Sequence, residues 1–169
     1  TLRQTGEIRV KNDLDISQLQ FANNSYQFQV FGSTVVFNKV GGTQTIPTDP
    51  QSPTDSVCRM EYYNLVLDSS GTKQLSSTSN SLFVVRNNLD INNGADFESN
   101  GFDLLINGNW QNNDGTFSPG NNYVIFNSDV ATQIKNITVR DTIDNPFYDL
   151  YIDGDGIVEP LDDILIKND

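Results

Sequence analysis

The sequence predicts an all-β protein, a right-handed parallel β-solenoid built from repeats of about 75–81 residues. Three observations support this fold class. Alanine occurs only 3 times in 169 residues, whereas valine, isoleucine and threonine, which suit strands, occur 13 times each. Apolar and polar residues alternate over short stretches that asparagine and glycine turns separate. The chain also matches itself in several places, in the same order.

Strands are predicted wherever one side of a short stretch is apolar and the other side is polar. Residues 8–16 follow this pattern, and in residues 26–30 Tyr26, Phe28 and Val30 alternate with two glutamines. A period of two with one apolar face is typical of a half-buried strand. Turn signals recur between these stretches, at Asn23-Asn24, Gly41-Gly42, Asn92-Asn93-Gly94, Asn100-Gly101, Asn107-Gly108, Asn113-Asp114-Gly115 and Asp153-Gly154-Asp155-Gly156.

Internal repeats divide the chain into copies. VKNDLDI at 10–16 matches VRNNLDI at 85–91, and ILIKND at 164–169 resembles IRVKND at 8–13. These matches predict a first copy over 1–84, a second over 85–165 and the start of a third at 166–169. They lead us to expect a piece of a longer array. Further matches join VVFN (35–38) to VIFN (124–127) and YYNLVLDSSG (62–71) to FYDLYIDGDG (147–156).

The second copy carries an insertion near 109–121, NWQNNDGTFSPGN, which helps to choose between two architectures. In a β-solenoid with coils of about 20–25 residues, an extra coil segment is readily added, because each coil contacts only its neighbours. The alternative is a string of tandem β-sandwich domains, one per copy, in which an added strand would have to enter a closed topology. The pattern favours the solenoid.

Charge and composition exclude several classes of function. The net charge is −12, with 10 basic and 22 acidic residues, so the surface repels nucleic acid. No histidine is present, which removes Ser-His and Cys-His nucleophiles and imidazole metal ligands. Cys58 is the only cysteine, so no disulfide forms within the chain. No apolar run is long enough to span a membrane.

The order VxNNLxINxGAxF, GFxLxINGNWxNN, GTFxPGxxxVIFN and FYxLxIDGxG, read from residue 85 onward, resembles a family of surface-protein repeats. These are the asparagine-rich β-solenoid repeats of very large Bacteroidota cell-surface proteins, which include gliding-motility adhesins exported by the type IX secretion system. The resemblance implies a secreted or outer-surface location, and a structural or adhesive role. The implied partners are an extracellular surface or polysaccharide, and components of the secretion translocon during export. It implies no catalytic residues.

One acidic turn is a candidate calcium site. Asp153, Asp155 and Glu159 lie close together in the sequence, and calcium prefers six to eight hard oxygen ligands. The matching position in the first copy has Ser70 where the second has Asp155, so the turn does not require the second acid. A plain surface turn, with no cofactor, is the alternative reading.

Trp110 is the candidate ligand-binding aromatic, because it lies in the insertion and has no counterpart in the first copy. Stacking on a sugar and packing in the core both suit such a residue. We expect a non-catalytic structural or adhesive segment. A carbohydrate-binding or polysaccharide-degrading β-helix module is the alternative.

Overall fold

The structure, a computed structural model, describes residues 6–13, 27–29, 32–48, 59–76, 82–128, 134–139, 147–154 and 156–167. These residues form short strands and contain no helix. In chain order the strands are β1 (Glu7–Val10), β2 (Gln27–Gln29), β3 (Thr34–Phe37), β4 (Thr43–Ile46), β5 (Arg59–Tyr62), β6 (Asn64–Leu67), β7 (Gly71–Leu75), β8 (Leu82–Val85), β9 (Leu89–Ile91), β10 (Ala95–Glu98), β11 (Asp103–Ile106), β12 (Trp110–Asn112), β13 (Thr116–Ser118), β14 (Tyr123–Ser128), β15 (Ile134–Val139), β16 (Asp149–Gly154) and β17 (Ile157–Pro160).

Three parallel sheets form the sides of a β-solenoid. Sheet 1 has the order β1-β3-β6-β9-β12-β15-β17, sheet 2 has β4-β7-β10-β13, and sheet 3 has β2-β5-β8-β11-β14-β16. Within the described residues, the four successive coils that begin with β3, β6, β9 and β12 carry a strand in sheets 1, 2 and 3, in that order. Every strand pairing in the described residues is parallel, which excludes antiparallel tandem sandwiches there. The prediction of a parallel β-solenoid is confirmed.

The unit that the structure repeats is the coil. In sheet 1, Leu65 pairs with Leu89 and Leu89 pairs with Trp110, which are 24 and 21 residues further along the chain. Residues 109–121, the predicted insertion, contain β12 and β13, which are two sides of one coil. As a result, the matched segments VVFN and VIFN lie on different sides: β3 is in sheet 1 and β14 is in sheet 3.

The core fills the centre of the solenoid with side chains from all three sheets. The alternation predicted from the sequence places every second residue inward, as in β6, where Leu65 and Leu67 are buried. Tyr62 is also fully buried, and its hydroxyl donates to the carbonyl oxygen of Pro47 at 3.0 Å. This burial raises the pKa of Tyr62 well above its usual range.

Asparagines join successive coils at the corner between sheets 3 and 1. The side-chain amide of Asn87 donates to Asn64 Oδ1 at 2.7 Å, and the backbone N–H of Asn109 donates to Asn88 Oδ1 at 3.0 Å. One coil further on, the backbone N–H of Asn136 donates to Asn109 Oδ1 at 2.9 Å. Each bond pairs a polar group that the corner leaves outside the sheet ladder. Asparagine therefore has a structural role at this corner.

Two polar side chains lie inside the solenoid, where sheet 2 begins. Gln44 and Lys73 are register neighbours and both are fully buried. Gln44 Nε2 donates to the Val10 carbonyl at 2.7 Å, and Lys73 Nζ donates to the carbonyls of Lys39 at 3.0 Å and Ser69 at 2.9 Å. Burial lowers the pKa of Lys73. Both side chains thus donate to backbone carbonyls of neighbouring turns, and the Val10 carbonyl also accepts the backbone N–H of Asn38 at 3.0 Å.

Candidate functional site

The outer face of sheet 3 carries two exposed tyrosine rings beside half-buried apolar side chains. In β14, Val124 and Phe126 are buried, so Tyr123 and Ile125 point outward. The register then places the outward residues of neighbouring strands beside them. We call this group the sheet-3 platform; it comprises Asp103 and Leu105 from β11, Tyr123 and Ile125 from β14, and Asp149 and Tyr151 from β16.

Two tyrosine rings are the most exposed parts of the platform. Tyr123 is 49% exposed and Tyr151 is 55% exposed. Tyr123 pairs with Asp149 and Ile125 pairs with Tyr151, so the rings occupy diagonal positions on adjacent strands. The strand spacing and the rise per residue put their Cβ atoms about 8 Å apart. Leu105 and Ile125, both half-buried, form an apolar floor beside the rings.

Carboxylates flank the rings. Asp103 Oδ1 accepts a hydrogen bond from the backbone N–H of Tyr123 at 3.0 Å, which holds this carboxylate beside the first ring. Asp149 is the register partner of Tyr123 on the next strand, and it lies two residues before Tyr151. Both aspartates are half-buried. Each ring therefore has a carboxylate within one strand of it.

An ion pair borders the platform on the side of the earlier coils. Arg86 donates from Nε to Glu61 Oε2 at 2.7 Å and from Nη2 to Glu61 Oε1 at 2.6 Å. Glu61 is only 2% exposed, although it lies on the outer face in register with Val84. A bidentate pair of this kind satisfies a buried carboxylate that would otherwise destabilise the fold. The Arg86 guanidinium thus forms its ion pair with Glu61.

Two of the three residues predicted to bind calcium lie on different sheets. Asp153 lies in β16 of sheet 3 and Glu159 lies in β17 of sheet 1, and both are exposed. Asp155 lies outside the described residues. The nearby Asp162 accepts a hydrogen bond from the backbone N–H of Val139 at 3.1 Å. Within the described ranges, no group of three or more acidic or cysteine side chains could hold a metal ion.

Trp110 lies in the core. It is 1% exposed, and its ring meets Phe117 and Phe147 edge to face, with centroid distances of 4.8 and 5.2 Å. A ring enclosed in this way offers no face to an external sugar, so the packing role is the one the structure shows. Tyr62 is fully buried as well. The exposed ring of Tyr123, by contrast, lies on the platform.

Sequence reasoning missed Tyr151. The stretch Leu150-Tyr151-Ile152 is apolar at three successive positions, so alternation alone does not show which residue faces outward. The strand register shows the direction of each side chain. Leu150 pairs with the buried Val124, so its neighbour Tyr151 lies on the outer side of the sheet. An alignment by strand phase rather than by residue identity would have found it.

The outer face of sheet 1 differs from the platform and carries a carboxyl group with a perturbed pKa. Asp90 lies outward between Val66 and Gln111. Burial raises the pKa of Asp90 above its ordinary value of 3.8. Since folding raises this pKa, the carboxylate lowers stability, and the loss grows as the pH rises from the unfolded-chain pKa through the folded-state pKa.

We expect Asp90→Asn to stabilise the protein at pH 7, and the gain to disappear below about pH 3, where both states are protonated. Urea unfolding at a series of pH values measures this difference. Asp163→Asn, at an exposed position, is the control for removal of one negative charge from a chain of net charge −12. An equal gain in both variants, or a gain that persists at low pH, would contradict the burial argument.

Comparisons with known proteins give no match: no family model, curated protein or solved structure is similar to this chain at a significant level. The described residues contain no helix that is long and apolar enough to span a membrane.

Proposed function

We propose that the chain is a non-catalytic, structural and adhesive segment of a secreted cell-surface repeat protein, exported by a type IX secretion system. The observation that carries the adhesive role is the sheet-3 platform, where Tyr123 and Tyr151 are about half exposed on a regular parallel sheet. Exposed groups of apolar side chains on a soluble protein mark interaction sites. The secreted location and the export route rest on the resemblance of the repeats.

The stacking of coils supports the structural role. Because each coil contacts only its neighbours, a solenoid of this kind extends along one axis and keeps its sides free. The asparagine bonds at the corner between sheets 3 and 1 join successive coils without using the outer faces. The net charge of −12 keeps such a protein soluble despite its strand edges. A spacer that also presents a binding face combines these properties.

Retention of coated beads under flow tests the adhesive role. Beads coupled to the chain are passed over glass, polystyrene and polysaccharide gels, and the retained fraction is compared with that of beads carrying Tyr123→Ala/Tyr151→Ala. We expect several times more beads to be retained with the unaltered chain on at least one surface. Equal retention on all surfaces would overturn the adhesive proposal.

The platform also suits the alternative, a carbohydrate-binding or polysaccharide-degrading module, because rings beside carboxylates are groups that contact sugars. Cleavage by glycosidases requires a pair of carboxyl groups that flank the scissile bond. Incubation of the chain with neutral and anionic polysaccharides, followed by measurement of reducing ends and unsaturated products, distinguishes degradation of a polysaccharide from binding without cleavage. We expect no product above the blank, and a measurable release would replace our proposal with the degrading function.

A further inference from the structure

We infer that the sheet-3 platform binds a neutral glycan, with the rings of Tyr123 and Tyr151 against the C–H faces of the sugars and the carboxylates of Asp103 and Asp149 accepting bonds from sugar hydroxyls. This inference rests on the proposed adhesive function and names the class of its ligand. Three features of the platform carry it: the ring positions, the paired carboxylates and the charge of the chain.

The rings are placed to receive an extended ligand. Tyr123 and Tyr151 project from the same face of adjacent strands and lie about 8 Å apart along a diagonal. Tyrosine presents a large apolar surface at a small cost in side-chain entropy, and its hydroxyl remains able to bond at the edge. The half-buried floor of Leu105 and Ile125 keeps the surface continuous between strands. A chain of sugars crossing the strands obliquely would meet both rings.

The carboxylates supply the polar part of the site. A carboxylate accepts hydrogen bonds only and has about four lone-pair positions on its two oxygens. Asp103 uses one of these positions for the backbone N–H of Tyr123, and this bond fixes its orientation. Sugar hydroxyl groups are donors that carry no charge, so they match such acceptors. Hydrogen bonds to an ionised acceptor are also stronger than those between neutral groups.

Charge selects a neutral glycan over the other candidate partners. The chain has a net charge of −12, and the two platform carboxylates add a local negative potential. Anionic glycans such as polyuronates, and a second copy of the same chain, would both be repelled. Arg86, which borders the platform, is paired with Glu61, so the charge of this guanidinium is balanced and does not offset the repulsion. A neutral polysaccharide meets no such barrier.

Affinity electrophoresis tests the inference. The intact chain is run in native gels that contain mannan, galactomannan, a mixed-linkage β-glucan or polygalacturonate. We expect retardation by at least one of the three neutral polysaccharides and none by polygalacturonate. For Tyr123→Ala/Tyr151→Ala, the apparent dissociation constant should rise about tenfold or more, since the substitutions remove both apolar ring surfaces that contact the sugars.

Matched variants make the outcome specific. Val40→Ala changes an apolar residue that is 76% exposed on a turn away from sheet 3, and its retardation should equal that of the unaltered chain. Emission from Trp110, the single tryptophan, reports whether each variant keeps its core. Retardation by none of the neutral polysaccharides, or retardation that survives the double substitution, overturns the inference. If the beads still adhere when no neutral polysaccharide retards the chain, the adhesive proposal stands and only the assignment of a neutral glycan as the ligand is wrong.

Two further results would overturn the inference by naming another occupant. Retardation by polygalacturonate equal to that by the neutral polysaccharides would contradict the argument from charge. A dimer of the unaltered chain in gel filtration that Tyr123→Ala/Tyr151→Ala converts to a monomer would show that a second copy covers the platform.

Discussion

Replacing Trp110 with alanine is expected to lower the free energy of unfolding by about 3–5 kcal/mol, the usual effect of removing a large buried aromatic side chain. The indole lies against Phe117 and Phe147, and its strand pairs with Leu89 on one side and Ile137 on the other. The cavity therefore opens between sheets 1 and 2, where three successive coils meet. A small domain has a total stability of about 5–15 kcal/mol, so this loss is a large fraction of it.

Urea unfolding followed by far-ultraviolet circular dichroism measures the effect, because the variant has no tryptophan. Gln111→Ala is the control: Gln111 lies next to Trp110 on the same strand but is exposed, and its replacement should change stability by less than about 0.5 kcal/mol. Similar values for the two variants would contradict the packing that we describe.

Hydrogen exchange adds a spatial test of the same substitution. Since coils of a solenoid contact only their neighbours, the loss of protection should be concentrated near the cavity. The amides of Leu89 and Ile137 should exchange much faster in Trp110→Ala, whereas those of β3 should change little. A uniform loss of protection along the chain would indicate that the coils unfold as one cooperative unit.

The class of fold could be predicted from the sequence because its signals are local. Alternation within strands and turns rich in asparagine and glycine depend on neighbouring residues, and both are visible in the sequence. The burial of Lys73 could not be predicted in this way. A lysine at an inward position contradicts the alternation, and only the stacking of the coils shows that carbonyls of Lys39 and Ser69 meet its ammonium group.

The candidate site was harder to predict from the sequence than the fold. Its residues come from three strands that are adjacent only through register, and Asp103 and Asp149 are 46 positions apart in the sequence. Trp110 attracted attention because it is unique, but uniqueness does not distinguish a core ring from a surface ring. Tyr151 has the opposite property: it lies in an apolar run that hides its outward direction.

Replacing Gly108 with alanine is expected to destabilise the protein by about 3 kcal/mol, because successive coils approach too closely at this corner for a side chain. A Cβ atom at Gly108 would lie only 2.4 Å from the backbone carbonyl carbon and oxygen of Asn87, and 2.7 Å from Asn88 Oδ1. Backbone atoms cannot turn aside as a flexible side chain can. The coils would have to separate, and the bond from Asn109 N–H to Asn88 Oδ1 would weaken with them.

Gly94 provides the matched control, since it has a positive φ angle but space for a Cβ atom, whereas Gly108 lacks the space. Its φ angle is +73°, but a Cβ atom there would have no neighbour within 4 Å. Gly94→Ala should therefore lower stability by only about 1 kcal/mol, through backbone strain alone. Thermal unfolding followed by Trp110 fluorescence compares the two variants directly. If Gly94→Ala proves as harmful as Gly108→Ala, backbone conformation rather than the close approach of coils limits these corners, and the stacking distance at Asn87 has no special role.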